Sequence, residues 1–219
     1  MTPRLDMQRG LDIMYRQVHK YGMHASPGRP LEFDPDVALS AAMQLFWRKG
    51  YENTSLQDLL DTMQLSKSSL YQAFGSKQAL FERCMSHYGD FMIGHLRGVL
   101  AESPSGLAFI RQFLESVLDE ARGVCEARGC LLLNTANEFA QRDPRITEAV
   151  AQGLGRFHGV LLEAVQRAQR EGDIPRERDA VMLANYLVSS MSGLKTLSKA
   201  GADEASLRGI IGLVLKALM

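Results

Sequence analysis

Between Asp34 and Gly75 the sequence starts and stops a helix three times, and this punctuation constrains the fold more than any other feature of the chain. Asp34 followed by Pro35 is an N-cap with a proline suited to the first helical position, and Val37, Ala41, Leu45 and Phe46 then recur at helical spacing until Gly50. The spacing predicts a first helix over about 35–49. Thr54 with Gln57 reads as a capping box for a second helix that carries Leu56, Leu59, Leu60 and Met63 and ends near Gln64. Ser66 caps a third, with an apolar stripe of Leu70, Ala73 and Phe74 and a stop at Gly75. Helices this short are not stable alone, so neighbouring segments must hold them.

Downstream the periods lengthen. Leu80, Phe81, Cys84, Met85, Tyr88, Met92 and Val99 mark a helix of roughly six turns. Ser103 with Pro104 and Asp143 with Pro144 open two more by the cap-then-proline device, and Gly123 and Gly172 end helices. Two segments, over about 178–199 and 204–218, finish the chain. No stretch alternates in the strand manner, so the fold class expected is all-α.

Two short helices joined by a tight turn, the second with a polar face, form a helix-turn-helix, whose second helix enters the major groove of DNA. Here Leu70 and Phe74 would dock against Leu56, Leu59, Leu60 and Phe46, which leaves Ser66, Lys67, Ser68, Tyr71 and Gln72 facing out. Trp47 and Tyr51, at the end of the first helix, read as packing residues. The chain of 219 residues is 46% hydrophobic with a formal net charge of +0, so a polyanion must be met by a local patch. Such a patch exists: no acidic residue lies between Asp61 and Glu82, whereas Lys67 and Lys77 do. The helix starts at Thr54, Ser66 and Ser76 add unpaired N–H groups and positive dipole ends suited to phosphate oxygens. Gly28-Arg29-Pro30 is similar to the extended arms that place an arginine in a narrow minor groove.

Phe46, Gly50, Tyr51, Thr54 and Ser55, followed by Ser66, Leu70, Tyr71, Phe74, Ser76, Lys77 and Leu80, resemble in type and spacing the DNA-binding domain of the tetracycline-repressor (TetR) family of transcriptional regulators, over about residues 33–85. The resemblance implies a ligand-responsive homodimer, most often a repressor, on palindromic double-stranded operator DNA. It implies a flexible arm over 1–32, a helix-turn-helix domain over 33–78 and an effector-binding and dimerisation domain over 79–219. By the same resemblance Thr54, Tyr71 and Lys77 contact phosphates, while Ser66, Lys67, Ser68 and Gln72 face the groove. Lys67 and Gln72 are chemically matched to guanine and adenine edges, at about 1–3 kcal/mol of discrimination for each good contact.

The remainder is read less sharply. From Arg128 to Pro144 an apolar run is interrupted by Asn134, Thr135, Asn137 and Glu138, which either line an effector cavity or form an ordinary exposed helix face. Gly129-Cys130-Leu131 resembles a branch of the family in which the matching cysteine senses electrophiles or oxidants, and Arg128 beside it would favour a thiolate; the alternative is a small buried hydrophobe. Cys125 is a candidate resolving partner. The three cysteines form no CxxC, and Cys84 with His87 offers too few ligands, so no metal and no cofactor is expected. The absence of an apolar leader or membrane span suggests a cytoplasmic protein with no membrane partner. The last two segments are apolar around more than one stripe, which calls for a second copy of the chain as partner. Two rival functions remain at this level: a thiol-dependent all-α enzyme using Cys130, for which His158 and His95 are the available bases, and an architectural DNA binder with no ligand.

Overall fold

The computed structural model describes residues 33–122, 128–139 and 143–219, and every regular element within them is helical. Arg29, Gly123 and Cys125 lie outside the described residues. In chain order the helices are α1 (Pro35–Lys49), α2 (Leu56–Met63), α3 (Lys67–Phe74), α4 (Lys77–Glu102), α5 (Gly106–Glu115), α6 (Leu118–Ala121), α7 (Leu131–Phe139), α8 (Pro144–Glu171), α9 (Ala180–Lys199) and α10 (Glu204–Leu218).

Most boundaries follow local chemistry. The Asp34 carboxylate accepts the N–H groups of Asp36 and Val37, and Gly50, at φ 78°, closes α1. Ser66 and Ser76 cap α3 and α4, accepting from the N–H groups of Ser69 and Ala79. Asp143 caps α8 ahead of Pro144, and Gly172 ends that helix at φ 87°. No helix among the described residues is long and apolar enough to cross a membrane.

Two caps differ from the sequence expectation. The capping box of α2 is made by Ser55 and Asp58, one residue on from Thr54 and Gln57. Thr54 is fully buried, and its hydroxyl donates to Gly50 O at 2.5 Å, so that side chain braces the α1–α2 turn from inside. At α5 the cap is Ser105; Ser103 is buried with its hydroxyl donating to Val99 O at 2.7 Å, and Pro104 stands outside the helix. In both places two hydroxyl residues compete, and burial decides which one serves as the cap.

The helices pack into two apolar cores. One joins α1, α2, α3 and the first half of α4 to α7 and the start of α8, through Phe46, Leu59, Leu70, Phe74, Phe81, Leu131, Phe139 and Ile146. The other joins the second half of α4 to α5, α6, the rest of α8, α9 and α10. Packing therefore does not divide the chain at residue 78: α7 shares the core of the N-terminal helices, and α4 runs through both.

α5 begins in close contact with the backbone of α8. A Cβ on Gly106 would sit 2.4 Å from Ala164 O and 2.5 Å from Ala168 N, both backbone atoms of α8. The close approach lets Gly106 N–H donate to Glu171 Oε2 at 2.7 Å. Gly106→Ala is expected to lower stability by about 3 kcal/mol in urea unfolding, since neither helix can yield locally. Thr54→Val strands the Gly50 carbonyl and is expected to cost about 1–3 kcal/mol by the same measurement.

Candidate nucleic-acid interface

α3 is an eight-residue helix held on one side and open on the other. Leu70 and Phe74 are 0% and 3% exposed, set into the core beside Leu59 and Met63 of α2. At its end Arg83, from α4, donates to Ala73 O at 3.0 Å and lays its guanidinium over the Phe74 ring, 5.6 Å from the centroid. Thus the helix is fixed by its apolar stripe, its cap and a cation from the neighbouring helix. Lys67, Ser68, Tyr71 and Gln72 all lie on the exposed face, with Tyr71 44% exposed. Ser66 is also exposed, but its hydroxyl serves as the cap and meets the hydroxyls of Ser68 and Ser69 at 2.9 and 2.8 Å.

Around this face the electrostatics favour an anion. The first N–H groups of α2, α3 and α4 have no acceptor within their helices; the α3 end opens directly from the α2–α3 turn, and the α4 end follows α3 after Gly75 and Ser76. Lys77, in the first turn of α4, holds its ammonium 4.1 Å from the centre of the Tyr51 ring. Tyr51 is wedged among Phe46, Phe81 and Phe139, so the cation stands on a rigid platform. Thr54, expected at a phosphate, presents no hydroxyl to solvent; Ser55, the exposed cap of α2, occupies the surface position instead. Ser55-x-x-Asp58 is legible in the sequence as an alternative box, one residue beyond Thr54 and Gln57. Lys49 donates to Asp58 at 2.8 Å and, with the Ser55 N–H and hydroxyl, holds that carboxyl down to about 2. The acid beside the patch is thereby neutralised by an ion pair rather than left to repel phosphate.

The second region of interest is the seam between the two cores. A narrow cavity of about 30 Å³ lies there, walled by Tyr88, Met92, Cys130, Leu132, Phe157, Met191 and Lys195 among others. Its polar points are few. Cys130 is half-buried at the start of α7 and receives the Tyr88 hydroxyl at 3.8 Å; burial, reinforced by the Cys130 sulfur, pushes the Tyr88 phenol well above its usual range, so it remains a neutral donor. Lys195 is buried and ion-paired with Glu120 of α6.

Other residues singled out from the sequence take different places. Arg128 does not pair with the Cys130 thiol: its guanidinium donates to Gln44 Oε1 and lies over the Trp47 ring. Asn134 Nδ2 donates to Arg128 O at 2.8 Å and braces the Arg128–Cys130 bend. Asn137 is exposed, and both asparagines border an open cleft against the α1–α2 turn rather than the seam cavity. His158 meets the carbonyl of Val181, not a thiol, and no group of metal-ligating side chains forms among the described residues.

Comparison with known proteins agrees with this geometry. Residues 38–84 match the family described as bacterial regulatory proteins, tetR family, and residues 106–212 match the tetracyclin repressor-like C-terminal domain. The HTH-type transcriptional repressor ComR of Escherichia coli K12 is 28% identical over 192 residues, covering 87% of this chain and 91% of that protein. A cysteine-substituted variant of the TetR family regulator CifR, solved on 26 bp double-strand operator DNA, superposes with a TM-score of 0.71 at 29% identity, over 88% of this chain and all of that one. Reduced NemR of E. coli shares the fold, with a TM-score of 0.73 at 18% identity over 83% of this chain and 94% of that one. The exposed face of α3 and the two matched regions together place the chain in the TetR family of transcriptional regulators.

Proposed function

We propose that the chain is a homodimeric transcriptional repressor that reads palindromic operator DNA with α3 and is released by a small molecule taken up at the seam. The observation that carries this reading is the surface of α3: a buried apolar stripe beneath Lys67, Ser68, Tyr71 and Gln72, with the helix's own N-terminus at one end and Lys77 in the first turn of the next helix. Lys67 and Gln72 have the donors for base edges, and Tyr71, Lys77 and Ser55 stand where phosphates would pass. Two relatives, ComR and the 27% identical BdcR of E. coli, are named transcriptional repressors, and CifR was solved on its operator.

Dimerisation is supported by α9 and α10. Val181, Met182, Tyr186 and Leu197 on α9, with Leu213 on α10, are large apolar side chains left at the surface; Met182 and Leu213 are 63% and 68% exposed. A second copy related by a two-fold axis buries them against themselves. The two α3 helices then address half-sites about 34–36 Å apart, or a multiple.

The seam supplies the switch. The seam cavity is small for an effector as it stands, so the ligand is accommodated by parting the two cores. Its wall is apolar apart from Tyr88, Cys130, Ser192 and the Glu120-paired Lys195, which suits a compact apolar molecule with a hydrogen-bonding end. Cys130 in the same wall, facing a neutral phenol donor, gives an effector with an activated alkene a covalent anchor: the sulfur adds to the β-carbon as the C=C π bond breaks, and the α-carbon takes up a proton to replace the one the thiol gave to solvent.

A mobility-shift titration against a duplex selected from a random pool tests the reading. Tyr71→Ala and Lys77→Ala should weaken every duplex alike, with Lys77→Ala lowering the salt slope by about 1. Gln72→Ala should cost about 1–3 kcal/mol on the best duplex and relax preference at one position. Equal losses on matched and mismatched duplexes would remove Gln72 from base recognition. Leu213→Glu should sediment as a monomer and lose tight operator binding; a persisting dimer would move the interface elsewhere.

A further inference from the structure

α7 is fastened to the reading head at its last turn and through the residues that flank it. Before its start, Arg128 reaches Gln44 and Trp47 of α1; beyond its end, the Asp143 carboxylate accepts from Gln78 Nε2 of α4 at 2.8 Å. Phe139 packs against Tyr51 and Phe81, with ring centres 5.2 and 5.9 Å apart. Between these lies a contact of another kind. The Glu138 carboxylate accepts two successive backbone N–H groups of the α1–α2 turn, from Tyr51 at 3.0 Å and Glu52 at 2.7 Å. Bonds from an ionised carboxylate to main-chain donors are about twice as strong as neutral ones, and they hold the backbone itself rather than one side chain.

The turn is built to receive that carboxylate. Gly50 has φ 78°, a conformation other residues resist, and a Cβ there would stand 3.0 Å from Glu138 Oε2. Thr54, at the far end of the turn, donates back to Gly50 O, so the turn is stiff and carries α2, and with it α3, as one piece. At the other end of α7, Cys130, Leu132 and Leu133 wall the seam cavity. One helix thus touches the cavity with its first turn and grips the DNA-reading unit with its last.

We propose that Glu138 is the positioning residue that couples the two: it ties the α1–α2 turn to α7, so the head follows α7 when the cavity wall moves. Linkage makes the tie reciprocal, so engagement of DNA by α3 must also be felt along α7. The tie is a property of this chain's own contacts. Its use by an effector rests on the regulatory reading above.

Reciprocity allows a test that needs no effector. Hydrogen–deuterium exchange of residues 131–139 is followed in the full chain, free and bound to the duplex selected by the wild-type protein. Wild type should show several-fold slower exchange in this segment on binding DNA. In Glu138→Ala the DNA-linked change should vanish while the head itself still gains protection. Glu138→Gln keeps one acceptor oxygen, sets an amide against the other backbone donor, and should fall between; it carries the comparison if the alanine variant does not fold. A merely structural Glu138 would lower the melting temperature of the variants and leave the DNA-linked change intact, which would overturn the proposal. Identical exchange in wild type with and without DNA would overturn it as well. A second arm alkylates Cys130 with N-ethylmaleimide in a Cys125→Ser background, where wild type should lose operator affinity and Glu138→Ala should not. If alkylation leaves wild-type binding unchanged, the sensing role of Cys130 fails, and the exchange arm still decides the tie.

Discussion

The burial of Leu70 and Phe74 beneath α3 is the constraint on which the rest depends. Eight residues form too short a helix to persist in water, and nothing on its outer face would stabilise it. Docked by two apolar side chains, capped by Ser66 and pinned by Arg83, the same residues become a rigid rod with a polar surface. Rigidity matters because a base-reading side chain is worth its hydrogen bonds only if its backbone is already in register when it meets the groove. A chain with no net charge then needs only local cations and helix ends at that rod to attract a phosphate backbone.

A second consequence concerns where the reading head ends. The family resemblance ends it near residue 78, yet its core includes Leu131, Leu132 and Phe139 of α7 and Ile146 of α8. The border between the two packed bodies runs instead through the middle of α4 and across the face of α7, and the narrow cavity lies on that border. A ligand that enters a well-packed seam moves bodies rather than side chains, because close-packed cores deform little internally. That geometry suits population shift: a molecule with higher affinity for a parted state draws a protein toward it in proportion to that difference.

Helix existence, type and most ends were legible because they are set within a few residues: Asp34-Pro35, Ser66, Gly75, Asp143-Pro144 and Gly172 all do locally what their chemistry implies. The α3 face was legible for the same reason, since one stripe of Leu70 and Phe74 fixes what lies opposite. Where two hydroxyls stood side by side, as at Thr54-Ser55 and Ser103 to Ser105, the outcome turned on which one the tertiary core covered, and periodicity carries no record of that. Arg128 shows the same limit: adjacency to Cys130 suggested a thiolate partner, but Gln44 and Trp47, distant in sequence, hold the guanidinium. Glu138 looked like one more polar interruption of an apolar run, because its partners are backbone groups that a sequence does not display. Lys195 and Glu120, ordinary in sequence, become a buried pair only once α9 crosses α6.

The central claim is that α3 enters the major groove, once for each of two subunits. Methylation protection of guanine N7, an atom exposed only in the major groove, measures this directly on a selected duplex bound by the full chain. The account predicts two protected patches about 34–36 Å apart on the duplex, or a multiple of that spacing, related by the operator's two-fold symmetry. A duplex fully bound by the protein with its guanine N7 atoms as reactive as in free DNA, or protected in a single patch, would contradict it.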